Sequence, residues 1–129
     1  MILLVEDEER YREIFARMLK KAGYGVIEAA DGLQALSLLE KLHCDLVISD
    51  ILMPNLNGYA LVPRIRAKWP DMPIILTSGY LSADAAKAVL NGSIDFIPKP
   101  IDPIALIETV RRRMPKWQNR PLKKLNIEI

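Results

Sequence analysis

The chain has 129 residues and a formal net charge of +2; 50% of its residues are hydrophobic and 26% are charged. This length suits one domain, and the composition excludes a disordered, collagen-like or disulfide-stapled chain. Apolar runs such as residues 1–5 fall far short of the ~20 residues that a membrane-spanning helix needs. No signal peptide is visible, and the single cysteine, Cys44, cannot form an internal disulfide, so a cytoplasmic location is expected.

The charge is distributed unevenly along the chain. Residues 111–129 hold seven of the 18 lysines and arginines but only one of the 16 acids. The first 110 residues therefore carry 11 bases and 15 acids, a net charge of −4. We expect one folded domain over residues 1–114 and a basic C-terminal tail or linker over residues 115–129. Neither nucleic acid nor a membrane is an expected partner of the domain itself.

Short apolar runs alternate with segments of helical periodicity five times along the chain. The runs predict strands at residues 1–5, 25–28, 45–49, 72–77 and 93–97. The segments that follow them predict helices that end near Ala22, Leu42, Lys68, Asn91 and Met114. The fourth of these helices is expected over residues 82–91.

Cap signals and apolar faces support these helices. Gly23 stands where a C-terminal cap is expected, and Asp31 is a candidate N-cap. Asp102 is a second candidate N-cap, with Pro103 in the first turn behind it. The first two helices should pack on the sheet through Tyr11, Ile14, Phe15, Met18, Leu19 and Ala22, and through Ala35, Leu36, Leu39 and Leu42.

The strands read as nearly continuous runs of Val, Ile and Leu, which is typical of a parallel sheet that is buried on both faces. Right-handed crossovers between parallel strands then place helices on both sides of the sheet. The predicted fold is α/β, a doubly wound five-stranded parallel sheet flanked by five helices. The strand order 2-1-3-4-5 makes it flavodoxin-like.

Polar side chains follow four of the predicted strands. In an open parallel sheet, ligands bind beyond the carboxyl ends of the strands, where the strand order switches. With the order 2-1-3-4-5 the first, third and fourth strands are neighbours, so these groups converge on one crevice. They are Glu6 and Asp7 after the first strand, Asp50 after the third, Thr77 and Ser78 at the fourth, and Lys99 after the fifth.

Three carboxylates in one crevice raise each other's pKa values, and a divalent cation relieves the repulsion. Oxygen ligands without His or Cys favour Mg²⁺ or Mn²⁺ over Zn²⁺. Asp50 is then either a metal ligand or a nucleophile, since carboxylates can form aspartyl phosphates. With a lysine ammonium and a threonine hydroxyl nearby, the set has the parts that phosphoryl transfer needs.

Four segments resemble the receiver domain of two-component response regulators, in the CheY-like superfamily. They are ILLVEDEE at residues 2–9, DLVISDILMP at 45–54 with Gly58, ILTSG at 75–79 and FIPKP at 96–100. In this order and spacing they form a specific signal over residues 1 to about 114. The resemblance implies a signalling phospho-acceptor of a phosphorelay, which catalyses its own Mg²⁺-dependent phosphorylation and dephosphorylation, rather than an enzyme.

The resemblance also implies a role for each matched residue. Asp50 is the phospho-acceptor, and Thr77 and Lys99 contact the phosphoryl group. Glu6 and Asp7 are the acidic pair that holds Mg²⁺, for which Mn²⁺ can substitute, and Asp7 is a direct ligand. Asp50 and the backbone carbonyl of Leu52 complete the metal site. Phe96 is the switch aromatic, and the Lys99–Pro100 bond is expected to be cis.

The implied partner is a histidine kinase or a histidine phosphotransfer protein. Phosphorylation is expected to draw Thr77 toward the phosphoryl group and to admit Phe96 into the space that it leaves. The surface of the fourth helix, fifth strand and fifth helix would change, and a partner or a second copy of the chain would bind there. Leu52 and Gly79 cannot orient an attacking water, so slow self-dephosphorylation is expected.

Two other classes of protein fit this sequence less well. A small phosphatase with an aspartyl nucleophile needs a substrate cap and usually a second acid where Leu52 stands. A phosphorylation-independent interaction module would not need the intact acceptor, acids, threonine and lysine. The sequence leaves open whether the domain is a stand-alone regulator, part of a transcription factor or the receiver of a hybrid sensor kinase.

Overall fold

The computed structural model describes residues 1–79 and 94–114. The elements, in chain order, are β1 (Ile2–Val5), α1 (Glu9–Lys21), β2 (Val26–Ala29), α2 (Gly32–Lys41), β3 (Leu46–Asp50), α3 (Gly58–Lys68), β4 (Ile74–Ser78), β5 (Asp95–Pro98) and α4 (Pro103–Arg113). The helix α4 is the fifth predicted helix. The fourth predicted helix, at residues 82–91, and the predicted tail, at residues 115–129, lie outside the described residues.

The five strands form one sheet in the order β2-β1-β3-β4-β5, and every neighbouring pair is parallel, as predicted. Alternate residues of the strands point to opposite faces of the sheet. Leu4 and Ile48 pack with α1 and α4 on one face, while Leu3 and Val47 pack with α2 and α3 on the other. The sheet is therefore doubly wound, with a hydrophobic layer on each side.

Burial differs between the central strands and the edge. Every residue of β1, β3 and β4 is buried, as the apolar runs predict. The expectation of burial on both faces is wrong for the two outer strands: in β2, Val26 and Ile27 are half-buried and Glu28 is exposed, and in β5 only Ile97 is buried. The strand β2 lies at the edge of the sheet and pairs only with β1, so one of its sides has no neighbouring strand.

The predicted caps are confirmed. The Asp31 carboxylate accepts a hydrogen bond from the backbone N–H of Gln34 at 2.8 Å, and Asp102 accepts one from that of Ile104 at 3.1 Å. Gly23 follows α1 with a φ of 97°, a left-handed conformation that glycine adopts at little cost. No helix among the described residues is long and apolar enough to span a membrane.

Two side chains expected in the core are exposed. Ile14 is 47% exposed because the buried face of α1 is centred on Phe15 and Leu19 and extends to Ala16 on the other side. Leu42 is 44% exposed because it is the C-cap of α2, where an extended backbone takes it off the helical face.

Candidate functional site

The predicted site residues meet at the carboxyl edge of the sheet. The register pairs Val5 with Ser49 and Asp50 with Thr77, so the ends of β1, β3 and β4 lie side by side. A cleft opens at this edge. It is lined by Asp7, Glu8, Tyr11, Asp50, Leu52, Ser78, Gly79, Lys99 and Pro100.

The three predicted carboxylates form one cluster. Glu6 and Asp50 are buried at the ends of β1 and β3, whereas Asp7 is exposed at the cleft. One oxygen atom from each of these three side chains lies within 4.8 Å of the other two. This spacing lets one small cation contact all three groups, directly or through water.

Lys99 neutralises part of this cluster. Its Nζ lies 2.5 Å from Oε1 of Glu6 and 3.2 Å from Oδ2 of Asp50. The backbone N–H of Lys99 donates to the carbonyl of Ser78 at 2.9 Å, which ties the segment after β5 to β4. The Lys99–Pro100 peptide bond is cis, as predicted.

Backbone hydrogen bonds fix the two buried carboxylates. Oδ1 of Asp50 accepts from the N–H of Ile51 at 2.8 Å, and Oε2 of Glu6 accepts from the N–H of Glu8 at 3.2 Å. Each carboxylate therefore has one oxygen on the backbone and the other on Lys99. Both groups are held in place before any ligand binds.

The two members of the Glu6–Lys99 ion pair shift in the same direction. Burial raises the pKa of Glu6, and the charge of Asp50 adds to this, against the hydrogen bonds from Lys99 and from the N–H of Glu8. Burial opposes the charge of Lys99, but its hydrogen bond to Glu6 and the charge of Asp50 prevail and raise its pKa. Lys99 is thus a cation at neutral pH, beside a carboxyl group that burial makes costly to ionise.

Two aromatic rings, of Tyr11 and Phe15, lie on the other side of Lys99. Its Nζ is 4.5 Å from the ring centroid of Tyr11 and 6.0 Å from that of Phe15, and the two rings are 5.6 Å apart. Sequence reasoning assigned Tyr11 to the core alone. Its position in the first turn of α1, four residues after Asp7, was the signal that could have placed it at the cleft.

The loop between β3 and α3 is packed tightly behind Asp50. A Cβ atom on Gly58 would lie 2.8 Å from the carbonyl oxygen of Asp50, and the Gly58 N–H donates to the carbonyl of Ile51 at 2.8 Å. Asn55 has a φ of 68° and donates from Nδ2 to Oδ2 of Asp31 at 3.0 Å. These contacts fix the loop that carries Leu52, whose half-exposed side chain lines the cleft.

Thr77 and Phe96 lie on β4 and β5, beside the carboxylate cluster. Thr77 is 1% exposed and pairs with Asp50 on one side and Ile97 on the other. Phe96 is half-buried against the hydrophobic layer under α2 and α3. The register therefore places Asp50, Thr77 and Ile97 side by side on three neighbouring strands, and Phe96 directly precedes Ile97.

The donor set fits a hard divalent cation. Three carboxylates converge there, and the cluster contains neither His nor Cys. Oxygen ligands of this kind suit Mg²⁺ or Mn²⁺ better than Zn²⁺. A cation, a carboxylate nucleophile and a lysine ammonium around one open cleft are the components of phosphoryl transfer.

Two curated proteins are similar to this chain over most of its length. The chain is 38% identical over 118 residues to the sensor kinase CckA of Brucella abortus. This match covers 89% of this chain and 12% of that protein. It is 39% identical over 119 residues to the probable transcriptional regulator ycf27 of Porphyridium aerugineum, covering 89% of this chain and 49% of that protein. The chain thus spans about half the length of one of these relatives and about an eighth of the other.

Solved structures of single domains match this chain over nearly their whole length. The receiver domain from the hybrid histidine kinase CckA is 38% identical, with a TM-score of 0.74 over 88% of this chain and 97% of that one. The chemotaxis protein CheY4 of Vibrio cholerae is 33% identical, with a TM-score of 0.77 over 86% and 95%. A sequence model of the response regulator receiver domain matches residues 2–111. The chain therefore belongs to the response regulator receiver domain family of two-component systems.

Proposed function

We propose that this receiver domain accepts a phosphoryl group on Asp50 from a histidine kinase or a histidine phosphotransfer protein in the cytoplasm. The observation that carries the proposal is the placement of the Asp50 carboxylate. It is fixed at the end of β3, beside Glu6 and Lys99, and it borders an open cleft. A buried carboxylate in this setting is poised to act as a nucleophile.

The proposed transfer uses the groups around Asp50. A carboxylate oxygen of Asp50 attacks the phosphorus of a phosphohistidine, and the P–N bond breaks as the new P–O bond forms. The electron pair of the broken bond goes to the imidazole nitrogen, which takes up a proton. Lys99 stabilises the charge on the phosphoryl oxygens by its ammonium group, and Thr77 donates its hydroxyl hydrogen to one of them.

Mg²⁺ is the proposed cofactor, and Mn²⁺ can substitute for it. Asp7, Asp50 and the backbone carbonyl of Leu52 would hold it directly, with Glu6 as the second member of the acidic pair. When bound, it neutralises negative charge on the transferring phosphoryl group. Glu6 is held by Lys99 at 2.5 Å, which favours Asp7 as the more direct of the two acidic ligands.

The proposed output is a change on the surface of the fourth predicted helix, β5 and α4. Thr77 moves toward the phosphoryl group, and Phe96 fills the space that it leaves. A partner protein or a second copy of the chain then binds this surface. Phosphorylation shifts the balance between an inactive and an active conformation that already exist. Some active conformer is therefore present before phosphorylation.

Thr77→Ala tests this coupling. The variant should still accept phosphate at Asp50 but show much smaller changes in NMR chemical shift around Phe96 and residues 85–89 than the wild type. Changes as large as those of the wild type would refute the route through Thr77.

Two further features complete the proposal. The phosphorylated state is long-lived, because Leu52 and Gly79 offer no polar side chain to orient an attacking water. Residues 1–114 form the receiver domain, and residues 115–129 are a separable basic tail or linker.

The phosphorylation itself is tested by intact-mass measurement with acetyl phosphate. The wild type should gain one phosphate in Mg²⁺ or Mn²⁺ and none in EDTA, and Asp50→Asn should gain none. Asp45→Asn, at the opposite edge of the sheet, is the matched control and should behave as the wild type. Equal incorporation in Asp50→Asn would overturn the assignment.

A further inference from the structure

The ammonium group of Lys99 lies between two kinds of partner. On one side are the carboxylates of Glu6 and Asp50, at 2.5 and 3.2 Å. On the other side is the ring of Tyr11, with its centroid 4.5 Å from Nζ, and beyond it the ring of Phe15 at 6.0 Å. A cation is attracted to the negative face of an aromatic ring within about 6 Å of the centroid. Tyr11 is well inside this range, and Phe15 is at its limit.

Tyr11 is held in place by its own packing. It is half-buried, it lines the cleft, and its ring lies 5.6 Å from the buried ring of Phe15 at an interplanar angle of 38°. Such a tilted aromatic pair restricts the orientation of both rings. The Tyr11 ring is therefore a fixed surface against which the flexible Lys99 side chain rests.

The carboxylates that hold Lys99 have other roles at the same site. Oxygen atoms of Glu6 and Asp50 belong to the candidate cation cluster, so a divalent cation would compete with the ammonium group for them. Phosphorylation would also convert one carboxylate oxygen of Asp50 into the bridging oxygen of an acyl phosphate, which carries less negative charge. The Tyr11 ring takes part in neither event, so neither event removes it as a partner for Lys99.

We propose that Tyr11 is a positioning residue, whose ring face holds the Lys99 ammonium beside Asp50 when the carboxylates are engaged elsewhere. This inference rests on the proposed phosphorylation of Asp50, in which Lys99 contacts the phosphoryl oxygens. The Lys99 side chain is only 12% exposed, so its attraction to the ring is weakly screened. Loss of the ring should slow phosphorylation roughly 3- to 10-fold, the range that a partly desolvated cation–π contact supports.

Three variants test this role. Tyr11→Leu removes the ring, Tyr11→Phe keeps it without the hydroxyl, and Tyr59→Leu removes a half-buried tyrosine that does not line the cleft. The measurement is the rate constant for phosphorylation by acetyl phosphate at saturating Mg²⁺. Tyr11→Leu should be slowed, while Tyr11→Phe and Tyr59→Leu should stay close to the wild type. The proposal is overturned if Tyr11→Leu reacts at the wild-type rate, or if Tyr11→Phe is slowed as much as Tyr11→Leu.

A measurement on the wild type does not depend on the folding of any variant. The CεH₂ protons of Lys99 should show an upfield ring-current shift relative to the exposed lysines Lys20 and Lys41. This shift should persist when Mg²⁺ is added, because the ring does not compete for the cation. An unshifted Lys99 signal, or one that moves to the exposed-lysine value in Mg²⁺, would overturn the proposal.

The proposed phosphorylation of Asp50 and the role of Tyr11 can be refuted separately. A wild type that takes up no phosphate on Asp50 refutes the proposed function. A wild type that is phosphorylated normally, together with an unslowed Tyr11→Leu, refutes the role of Tyr11 alone.

Discussion

Ion pairs differ in burial between the carboxyl edge of the sheet, where the strands end, and the amino edge, where they begin. At the carboxyl edge, the side chains of Glu6, Asp50 and Lys99 are 1%, 9% and 12% exposed, and Lys99 lies within ion-pair distance of both acids. At the amino edge, the ends of α2 and α3 are joined by an ion pair between Glu40 and Lys68, whose side chains are 50% and 61% exposed. The same chemical interaction is thus buried at one edge and solvated at the other.

This difference separates the candidate functional cluster from an ordinary surface ion pair. Exposed ion pairs contribute only about 0–1 kcal/mol, because water and salt screen them and long side chains lose freedom. A buried cluster carries a desolvation penalty that can exceed its Coulombic gain, so apolar residues would often stabilise the fold better. Charges kept in the costly position, beside a cleft, are therefore a sign of chemistry rather than of stability.

The largest expected effect comes from removing the buried cation. Lys99→Met leaves Glu6 and Asp50 buried without a counter-charge and should lower the free energy of unfolding by about 2–4 kcal/mol. Lys68→Met at the opposite edge should lower it by less than about 1 kcal/mol. Urea unfolding of both variants in EDTA at pH 7 measures the difference. Similar losses at the two edges would contradict the distinction between them.

The second effect concerns the divalent cation. Asp7→Ala should weaken Mg²⁺ binding by tenfold or more, because an exposed carboxylate at the cleft is expected to bind the ion directly. Glu6→Ala should weaken it less, because Glu6 is already engaged by Lys99. Calorimetric titration of both variants tests this order, with Asp45→Ala as a control from the amino edge. Equal losses would mean that the longer Glu6 side chain also reaches the ion.

Most of the fold and the location of the site followed from the sequence. The apolar runs predicted all five strands, and the polar residues that follow them predicted the cleft. These features depend on local pattern and on the rule that parallel strands bring their carboxyl ends together. Side-chain burial was less predictable at the end of a helix and at the margin of a helical face: Leu42 leaves its helical face as a cap, and Ile14 lies beside a buried face that is centred on its neighbours.

The contacts within the site could not be predicted from the sequence. Lys99 and Glu6 are 93 residues apart, and their 2.5 Å contact depends on how the segment after β5 turns toward β1. The position of Tyr11 beside Lys99 depends on the rotation of α1 about its own axis. A helical apolar pattern defines that rotation only coarsely, so Tyr11 was assigned to the core.

The third effect is a pH dependence at the carboxyl edge. The pKa of Glu6 is raised above its ordinary value of 4.5, so the folded state binds this proton more tightly than the unfolded state does. Its contribution to stability is therefore full below the unfolded pKa and is lost as the pH rises through the folded pKa. Glu6→Gln has a similar shape and no ionisation, so it escapes this loss.

The expected outcome is that Glu6→Gln gains stability relative to the wild type as the pH rises from 4 to 7 in EDTA. Lys99 stays protonated throughout this interval, since its pKa is raised from 10.5, so the change reports on Glu6. Denaturant unfolding at four pH values tests it. A difference between the two proteins that stays constant or shrinks with pH would contradict the direction given for Glu6.

The smallest effect is expected at the amino edge, in the pair between Glu40 and Lys68. Both side chains are at least half exposed, so their coupling free energy should be at most about 0.5 kcal/mol and should vanish in 1 M salt. Lys68→Met alone also loses a contact with the Trp69 ring, whose centroid is 6.0 Å from Nζ. A double-mutant cycle with Glu40→Gln cancels that contribution and isolates the ion pair. A coupling above about 1 kcal/mol that persists in salt would show that solvated and buried pairs differ less here than their exposure indicates.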